Sequence, residues 1–396
     1  MKRQVLFSAS LFHALNDAAT VTVPMILPLL YSQQLIITKY SHIGILSNLG
    51  LITTLVFQIL VVNHAQRIAF KHTVLFSLTG IALFLWLLTL AQGFFSWLIL
   101  YLILRAFMSF YHPIGIAMVS KTHPDQGLDF AMGIQSGSGN LGVFMAFISV
   151  GYIAQRFGWK VPLYIWAGLA LVLGTVCYLR VRGVDTRERH LRKPTRAVWG
   201  KTAVQVKTLL PGFIFGGACW GTTVYYAPSL FNHKFQASLG ETGLILALWI
   251  ALGAIMPYLF GFLCGRFGRY RIAAMGVIGS SLTVAVLGSA WTKGLAMASL
   301  LVFGSFLFLI YPAFQSYVGG TLAEEDQAVG FSLVANVQML TGALVNLLAG
   351  FLSDTLGIHT PFLFLALLGL VVMGYYALRG PDLKSGEPER TPWAQT

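Results

Sequence analysis

Long apolar stretches separated by short polar gaps dominate this chain of 396 residues and restrict it to a membrane-spanning fold. An α-helix needs about 20 apolar residues to cross the hydrocarbon core of a bilayer. Twelve such stretches occur, at residues 6–31, 41–62, 73–92, 97–120, 128–152, 161–181, 208–231, 241–263, 271–291, 295–318, 329–352 and 361–379. With 56% hydrophobic and 10% charged residues, the composition is not that of a soluble domain. The sequence therefore predicts an all-α membrane protein with twelve transmembrane helices.

An internal repeat indicates two copies of a six-helix unit. Residues 151–158 (GYIAQRFG) recur as residues 350–357 (GFLSDTLG), and Arg67 has a counterpart in Arg266 at the same offset. Similarity at a fixed spacing indicates a duplicated structural unit. We therefore expect a six-helix half over residues 1–181, a linker over 182–207, a second six-helix half over 208–380 and a tail over 381–396.

Positive charge is concentrated in the loops on one side of the predicted membrane. The formal net charge is +13, but its distribution favours orientation in a membrane over binding to nucleic acid. The basic residues of the opposite loops are only Lys39, Arg156, Lys160, Lys234 and Lys293. By the positive-inside rule, both termini are expected in the cytoplasm, with the chain in the inner membrane.

The predicted linker between the halves is strongly basic. Its basic residues are Arg182, Arg187, Arg189, Arg192, Lys193, Arg196, Lys201 and Lys207. One interpretation is a solvated loop that sets the orientation of the protein. The other is a short interfacial helix near residues 196–207 that binds anionic lipids.

Two ionisable residues, Asp17 and Arg105, lie deep inside predicted spans, where a charge costs about 3 kcal/mol or more. Asp17 shares a polar stripe at helical spacing with His13, Asn16 and Thr20. An unpartnered charge facing lipid would not persist, so both residues require a partner, water or a function.

Arg105 lies on a second polar stripe, with Tyr101 and His112 at helical spacing. At about 1.5 Å per residue, Asp17 and Arg105 reach about the same depth if both spans are continuous helices. His13 and His112 share a second depth, nearer the cytoplasm. A direct pair between Asp17 and Arg105 is therefore geometrically possible.

The pattern of two six-helix repeats resembles the major facilitator superfamily, whose midplane site is exposed alternately to each side. Residues 12–17 (FHALND), 111–113 (YHP) and 139–142 (GNLG) resemble motifs of the fosmidomycin-resistance-like exporters. The resemblance covers essentially the whole chain and implies a transporter rather than an enzyme. Two features depart from the superfamily pattern: Gln66 replaces the usual acid in its loop, and no Gly-Pro pair follows Gly142.

The resemblance places the first and fourth spans beside the central cavity. It implies that Asp17 is the protonatable coupling group, and that Arg105 is its counter-ion or an anchor for an anionic substrate. A structural ion pair, or an Arg105 that snorkels outward, is the alternative. His13 and His112 are candidates for a proton relay, or for structural hydrogen bonds. Two histidines without a cysteine or a second carboxylate give too few metal ligands, so neither a metal site nor a cofactor is predicted.

Other residues are candidates for substrate binding and for a conformational latch. The substrate-binding candidates are Asn16, Tyr111, Gln135, Asn140, Trp220, Tyr225, Tyr311, Gln315 and Asn336, with core packing as the alternative for those in the second half. The latch candidates are Arg67, Asp129 and Arg266. The second half has no mid-span charge, so the coupling chemistry is expected in the first half.

Together these features predict a secondary active transporter, coupled to protons, that exports a small amphiphilic or anionic organic compound. Proton-coupled uptake of a small organic anion is the alternative, and a membrane receptor or lipid scramblase is a further one. No nucleotide-binding loop is visible, so ATP-driven transport is not expected. The expected partners are the substrate, protons and anionic lipids, and the expected state is a monomer.

Overall fold

A computed structural model describes residues 2–64, 69–123, 128–183 and 195–384, and these residues contain helices but no strand. The α-helices are α1 Lys2–Ser32, α2 Tyr40–His64, α3 Phe70–Leu88, α4 Phe94–Met108, α5 Tyr111–Thr122, α6 Leu128–Phe157, α7 Lys160–Val181, α8 Arg196–Val206, α9 Leu210–Ser229, α10 Leu239–Phe267, α11 Arg269–Ser289, α12 Lys293–Thr321, α13 Glu324–Leu356 and α14 Thr360–Lys384. A π-helical turn, Leu230–Lys234, continues α9.

Eleven of the described spans are long and apolar enough to cross a membrane, with α4 and α5 together forming one of them. The predicted span at 208–231 is the exception. It forms the helix α9, Leu210–Ser229, which is not among these eleven. Helices are therefore confirmed at all twelve predicted positions. Eleven of these spans are also long and apolar enough to cross a membrane.

Two glycines at equivalent positions end equivalent helices. Gly158 follows α6 with φ of 86°, and Gly357 follows α13 with φ of 99°. Glycine has no Cβ to penalise this left-handed conformation, which is a common way to end a helix. Because both residues lie in the repeated octapeptides, the duplication inferred from sequence extends to backbone conformation.

Contacts within the chain define two compact units that do not follow chain order. The first contains residues 1–193 and 224–248, and the second contains residues 194–223 and 249–396. In the first unit α1 packs against α6, α7 and α5, while α3 packs against α7 and α4. In the second unit α11 packs against α12 and α14, and α13 packs against α14 and α8. The ends of α9 and α10 that flank residues 230–238 thus pack with the first unit.

The closest helix crossing in the first unit is that of α1 with α6. A Cβ at Gly142 of α6 would overlap the backbone carbonyl of Ala14 in α1. Small residues permit such close approach between helices in a membrane. The glycines of α6 therefore bring its backbone directly against the polar stripe of α1.

A short helix, α8, occupies part of the predicted basic linker. Thr195 caps it, because its side-chain oxygen accepts a hydrogen bond from the Val198 amide at 3.4 Å. Thr202 and Val206 are buried, and Lys201 Nζ forms an ion pair with Asp326 Oδ2 of α13 at 3.0 Å. The helix expected near residues 196–207 is therefore present and packs within the second unit, whereas its binding of anionic lipids stays a prediction.

Candidate functional site

The predicted fourth span is broken between α4 and α5, at residues 109–110. Pro113 has no amide hydrogen to donate to the carbonyl of Ser109, which weakens the helix there, although Pro24, Pro28 and Pro312 lie inside the continuous helices α1 and α12. Arg105 therefore belongs to α4 and His112 to α5. The two residues do not share one continuous stripe, as the sequence-based geometry assumed.

Asp17 is surrounded by two histidines in the first unit. Its Oδ2 atom lies 3.0 Å from His13 Nε2, and its Oδ1 atom lies 3.7 Å from His112 Nε2. The amide of Asn16 donates to Oδ1 at 3.2 Å. The rings of His13 and His112 are 5.4 Å apart. We refer to His13, Asp17 and His112 as the acid–histidine cluster.

The hydrogen bonds of His13 determine how many protons the cluster holds. His13 Nδ1 lies 2.8 Å from the backbone oxygen of Gln135 in α6. A carbonyl oxygen only accepts, so Nδ1 carries a hydrogen and donates. A second hydrogen bond, between Nε2 and Asp17, then requires one more proton, on either the imidazole or the carboxyl group. The contact between His13 and Asp17 is therefore made by a bound proton.

Packing around His13 fixes its orientation. Tyr111 stacks on the imidazole with ring centroids 4.4 Å apart, and Phe12 meets the Tyr111 ring edge-on at 4.9 Å. On the other side, a Cβ at Gly139 would lie 2.6 Å from His13 Nε2 and 2.9 Å from Asp17 Oδ2. Glycine at this position is what allows α6 to approach the pair.

Three polar atoms beside the cluster are buried without a hydrogen-bond partner among the described residues. They are Oδ1 of Asn16, Oε1 of Gln135 and the hydroxyl oxygen of Tyr111. A buried polar atom without a partner is costly. These atoms thus favour additional hydrogen-bonding groups at this place, which agrees with the choice of these residues as substrate-binding candidates.

The acid–histidine cluster brings together the two histidines and the one carboxylate that the prediction of no metal site considered. One ligand atom from each of His13, Asp17 and His112 lies within 4.8 Å of the other two. Three protein ligands and a water can hold a transition metal ion. By the number of ligands alone, the cluster is compatible with either a bound metal ion or a bound proton. A single proton is enough to account for the His13–Asp17 contact.

Arg105 is directed towards α2 rather than towards Asp17. Its Nε atom donates to Thr54 Oγ1 at 2.9 Å and to the Gly50 carbonyl at 3.4 Å. The side chain is 4% exposed, and no ion pair joins it to a carboxylate in the described part of the chain. The direct pair between Asp17 and Arg105 that we considered possible is not formed, because Asp17 contacts His13 and His112 whereas Arg105 contacts α2.

Two tyrosines next to Arg105 connect α4 with α9. The hydroxyl oxygens of Tyr101 and Tyr225 are 2.5 Å apart, and both residues are buried. Gly50 makes room for this arrangement, since a Cβ there would lie 2.8 Å from Tyr101 Cε1 and 3.3 Å from Arg105 Cγ. Tyr225 is thus the one predicted substrate-binding residue of the second half that packs with the first unit.

The remaining second-half candidates lie in the second unit. Trp220 belongs to an aromatic cluster, 5.3 Å from Trp249 and 5.8 Å from Phe308 between ring centroids. Tyr311 is 44% exposed and makes an edge contact with Phe213 at 6.4 Å. Gln315 and Asn336, like Asn140 of the first unit, are partly exposed. These positions are accessible enough to contact a ligand, and the ring contacts of Trp220 and Tyr311 are with other aromatic side chains.

The latch candidates are mostly beyond what the structure describes. Arg67 and the side chain of Asp129 lie outside the described residues. Arg266 is exposed at the end of α10, and its guanidinium lies 5.5 Å from the ring centroid of Phe267. The latch between these residues stays a prediction.

Sequence reasoning missed Thr54 and Gly50, the two α2 residues that contact Arg105. They are four residues apart and so lie on one face of α2, a spacing visible in the sequence. Neither residue is charged, however, and small hydroxyl residues and glycines are common in transmembrane helices. The signal was present but not specific.

Comparison with known proteins agrees with this architecture. The family model of the Major Facilitator Superfamily matches residues 6–345 and, in a second match, residues 212–395. An uncharacterized MFS-type transporter of Methanocaldococcus jannaschii is 23% identical over 301 residues, covering 72% of this chain and 76% of the relative. A nitrite extrusion protein of Bacillus subtilis is 26% identical over 186 residues, covering 46% of each chain.

Solved transporter structures have the same fold. An inward-facing, unoccupied bacterial homolog of the human lysosomal transporter Spinster superposes with a TM-score of 0.83, covering 98% of this chain and 99% of that one at 12% identity. The nucleoside transporter NupG gives a TM-score of 0.76, covering 94% of this chain and 98% of that one at 14% identity. With a family model that matches most of its length, this chain belongs to the Major Facilitator Superfamily and is a multi-pass membrane transporter.

Proposed function

We propose that this protein is a proton-coupled secondary transporter that exports a small amphiphilic or anionic organic compound by alternating access. In this proposal the acid–histidine cluster carries the proton and Arg105 binds the anionic end of the substrate. The cell inner membrane, with both termini in the cytoplasm, is the proposed location, because the basic residues lie in the loops on that side.

The observation that carries the proposal is the His13–Asp17 contact. With Nδ1 donating to the Gln135 carbonyl, the 3.0 Å separation of Nε2 and Oδ2 requires one bound proton. Asp17 and His112 are partly exposed, with 24% and 43% of their side chains accessible, so that proton can exchange with solvent or substrate. A site that holds one exchangeable proton in mid-membrane is what proton coupling needs.

Arg105 supports an anionic substrate. A buried guanidinium keeps its charge at any working pH and is costly when no anion balances it. Only Nε is used by Thr54 and Gly50, so the terminal nitrogens remain for further hydrogen bonds. Proton and substrate therefore act at separate points of the first unit, rather than competing within one Asp17–Arg105 pair.

The other candidates receive subsidiary roles in this proposal. Asn16, Tyr111 and Gln135 border the proton and orient His13, while Asn140, Trp220, Tyr225, Tyr311, Gln315 and Asn336 provide neutral contacts for the substrate. Arg67, Asp129 and Arg266 form the cytoplasmic latch, anionic lipids bind the basic face of α8, and the protein works as a monomer.

Export is favoured over uptake by the motifs that resemble those of fosmidomycin-resistance-like exporters and by the similarity to the nitrite extrusion protein of Bacillus subtilis. Uptake of a small organic anion is the second candidate, since Arg105 suits an anion moving in either direction. The two differ in the direction of the proton gradient that drives transport.

Substrate-dependent proton flux in proteoliposomes tests the proposal. Vesicles that contain a pH-sensitive dye and a metal chelator are exposed to fosmidomycin or to nitrite, under an inward or an outward pH gradient. We expect flux with the wild-type protein, its loss in Asp17→Asn, and wild-type behaviour in Asp354→Asn, which alters an exposed carboxylate of α13. Equal flux in the wild type and Asp17→Asn contradicts proton coupling through the cluster. Lipid movement without substrate flux supports a scramblase instead.

A further inference from the structure

The acid–histidine cluster contains one approach that a bound proton does not explain. A proton accounts for the 3.0 Å separation of His13 Nε2 and Asp17 Oδ2. His112 Nε2 lies 3.7 Å from Asp17 Oδ1, which is too far for a hydrogen bond. A ligand atom of His112 nevertheless lies within 4.8 Å of one from each of the other two side chains. The convergence of all three side chains therefore needs a second reason.

The separations within the cluster fit a metal ion at its centre. Bonds from Zn²⁺ to an imidazole nitrogen or a carboxylate oxygen are about 2.0–2.2 Å long, so two such ligand atoms at the tetrahedral angle are about 3.3–3.6 Å apart. The separations of 3.0 Å and 3.7 Å lie just below and just above that range. Small side-chain rotations would therefore bring the three ligands to bonding distance of one ion.

The groups around the ligands support them as metal ligands are supported in other proteins. A metal-bound histidine usually donates its second ring N–H to a carbonyl or a carboxylate, and a metal-bound carboxylate is itself hydrogen-bonded. His13 Nδ1 donates to the Gln135 carbonyl at 2.8 Å, which leaves Nε2 as the ligand atom. The Asn16 amide donates to Asp17 Oδ1 at 3.2 Å. Two of the three ligands are therefore already oriented for an ion.

Two buried acceptors beside the cluster lack the donors that a metal-bound water would supply. Oδ1 of Asn16 and Oε1 of Gln135 have no hydrogen-bond partner among the described residues, and the two residues are 2% and 1% exposed. An amide oxygen only accepts, so each needs a donor. A water bound to a metal ion has two hydrogens to donate, whereas the proton of the His13–Asp17 contact is already used. These acceptors thus favour an ion with a bound water over a proton alone.

The ligand types select a divalent transition metal ion. Imidazole suits zinc, copper, iron and nickel, whereas magnesium and calcium prefer oxygen ligands alone. Two histidines and one carboxylate form a known ligand set of zinc and iron(II) sites that keep an open position. Asp17 and His112 are 24% and 43% exposed, so an ion has access to the cluster. In the described ranges of the chain, no other three side chains of histidine, cysteine, aspartate or glutamate come together in this way.

We propose that His13, Asp17 and His112 bind one divalent transition metal ion, such as Zn²⁺ or Co²⁺, with water or an anion at the open position. The ion takes the place of the shared proton, because His13 Nε2 and the carboxylate cannot hold both. One ion enters and one proton leaves, so the charge of the cluster rises by one. Binding of the ion stands apart from the proposed function, whereas its consequence for transport rests on it.

Cobalt reports this site directly, because Co²⁺ absorbs visible light more strongly in a four- or five-coordinate protein site than in water. The full-length protein without a histidine tag, in lipid nanodiscs, is titrated with Co²⁺, which Zn²⁺ then displaces. We expect one ion per chain in the wild type. Changes beside a ligand cost about 10–100-fold in metal affinity, so loss of a ligand in Asp17→Asn or His112→Gln should cost at least about 100-fold. His72→Gln, at an exposed histidine of α3, is the matched control and should bind as the wild type does.

A replacement ligand separates metal binding from a merely structural role. In His112→Cys a thiolate replaces the imidazole, and Co²⁺ bound to a thiolate has a near-ultraviolet charge-transfer absorption. The wild type gives the background of Cys177, Cys219 and Cys264. We expect this absorption in His112→Cys and not in the wild type. The metal site is overturned by its absence in His112→Cys, by a wild type that binds no Co²⁺, or by equal binding in the wild type, Asp17→Asn and His112→Gln.

The metal site and the proposed function fail separately, because neither cobalt measurement uses a substrate or a pH gradient. In proteoliposomes without chelator, Zn²⁺ should abolish the proton flux of the wild type. Cobalt binding together with equal flux in the wild type and Asp17→Asn keeps the metal site and rejects proton coupling through the cluster. Flux that depends on Asp17, in a protein that binds no Co²⁺, rejects the metal site alone.

Discussion

The crossing of α1 with α6 in the first unit and that of α9 with α13 in the second are repeat-related but chemically different. In the first, Asp17 of α1 faces Gly139 of α6, which lies against the His13–Asp17 pair. In the second, the glycine is on the other helix. A Cβ at Gly217 of α9 would lie 2.6 Å from the Gln338 carbonyl of α13. Both crossings bring helix backbones into contact, at Gly142 against Ala14 and at Gly217 against Gln338, but the first also makes room for an ionisable pair.

The surroundings of Arg105 and its counterpart Gly304 show the same contrast. Arg105 fills its position with a buried charge that donates to Thr54. A Cβ at Gly304 would instead lie 2.5 Å from Trp249 Cδ1, so that position is occupied by the aromatic cluster of the second unit. The duplication kept the helices and changed what the central positions hold. At these positions the first unit has ionisable side chains, and the second has a glycine against the backbone and an aromatic cluster.

Arg105→Ala should have the largest effect on this contrast. A hydrogen bond to a charged group contributes about 1.5–3 kcal/mol, so anion-dependent flux should fall at least about tenfold. Removing a buried charge without a carboxylate partner should leave the melting temperature unchanged or raise it. Proteoliposome flux and thermal unfolding in detergent measure the two effects. Full flux in the variant would mean that Arg105 is structural, and a large fall in melting temperature would mean that its loss unfolds the protein.

Gly217→Ala should break the closed crossing of the second unit. The added methyl group meets the Gln338 backbone, which cannot move aside as a side chain can, and overpacking of this kind costs about 1–3 kcal/mol. The matched control is Gly216→Ala, whose Cβ would lie 3.4 Å from Ile310 Cγ2, an ordinary contact. We expect a lower melting temperature only in Gly217→Ala. Equal melting temperatures in the two variants would show that α9 and α13 can move apart at this crossing. The two units would then differ only in which residues lie at their crossings.

Much of the fold was predictable because long apolar runs specify membrane helices, whereas the compact units depart from the repeat at residues 224–248. The depth calculation also brought His13 and His112 together, since α1 is continuous up to Asp17. It failed for Arg105. Helix α4 is continuous up to Arg105, but depth in the membrane does not show which neighbouring helix a side chain meets, and Arg105 contacts α2.

The surroundings of Arg105 and Tyr225 were beyond sequence reasoning for a different reason. Periodicity shows which face of a helix is polar, but not which neighbouring helix it meets. Thr54 is one of many hydroxyl residues in apolar spans, and nothing in its spacing connects it to Arg105. Tyr225 belongs to the second half by repeat and packs with the first unit by contact, which only tertiary structure reveals.

Gly139→Ala should have the smallest effect and the most specific one. Its Cβ would lie 2.6 Å from His13 Nε2, so the two side chains of the proton site must separate by a small rotation. A wider separation holds the shared proton less tightly, and transport should then need a higher proton concentration for half-maximal rate. The melting temperature should hardly change, because the atoms that yield are the ends of side chains. A pH series of flux in proteoliposomes measures the shift.

Gly133→Ala is the control for that experiment, since nothing lies within 4 Å of a Cβ at this α6 position. Both variants add the same methyl group to the same helix, so helix propensity contributes equally to each. A pH dependence displaced in Gly139→Ala alone locates the proton between His13 and Asp17. An equal shift of the pH dependence in both variants would show that the added methyl group acts through α6 as a whole. An unchanged pH dependence in both variants would mean that the proton that limits transport binds elsewhere. The α1–α6 crossing would then differ from the α9–α13 crossing in structure but not in proton coupling.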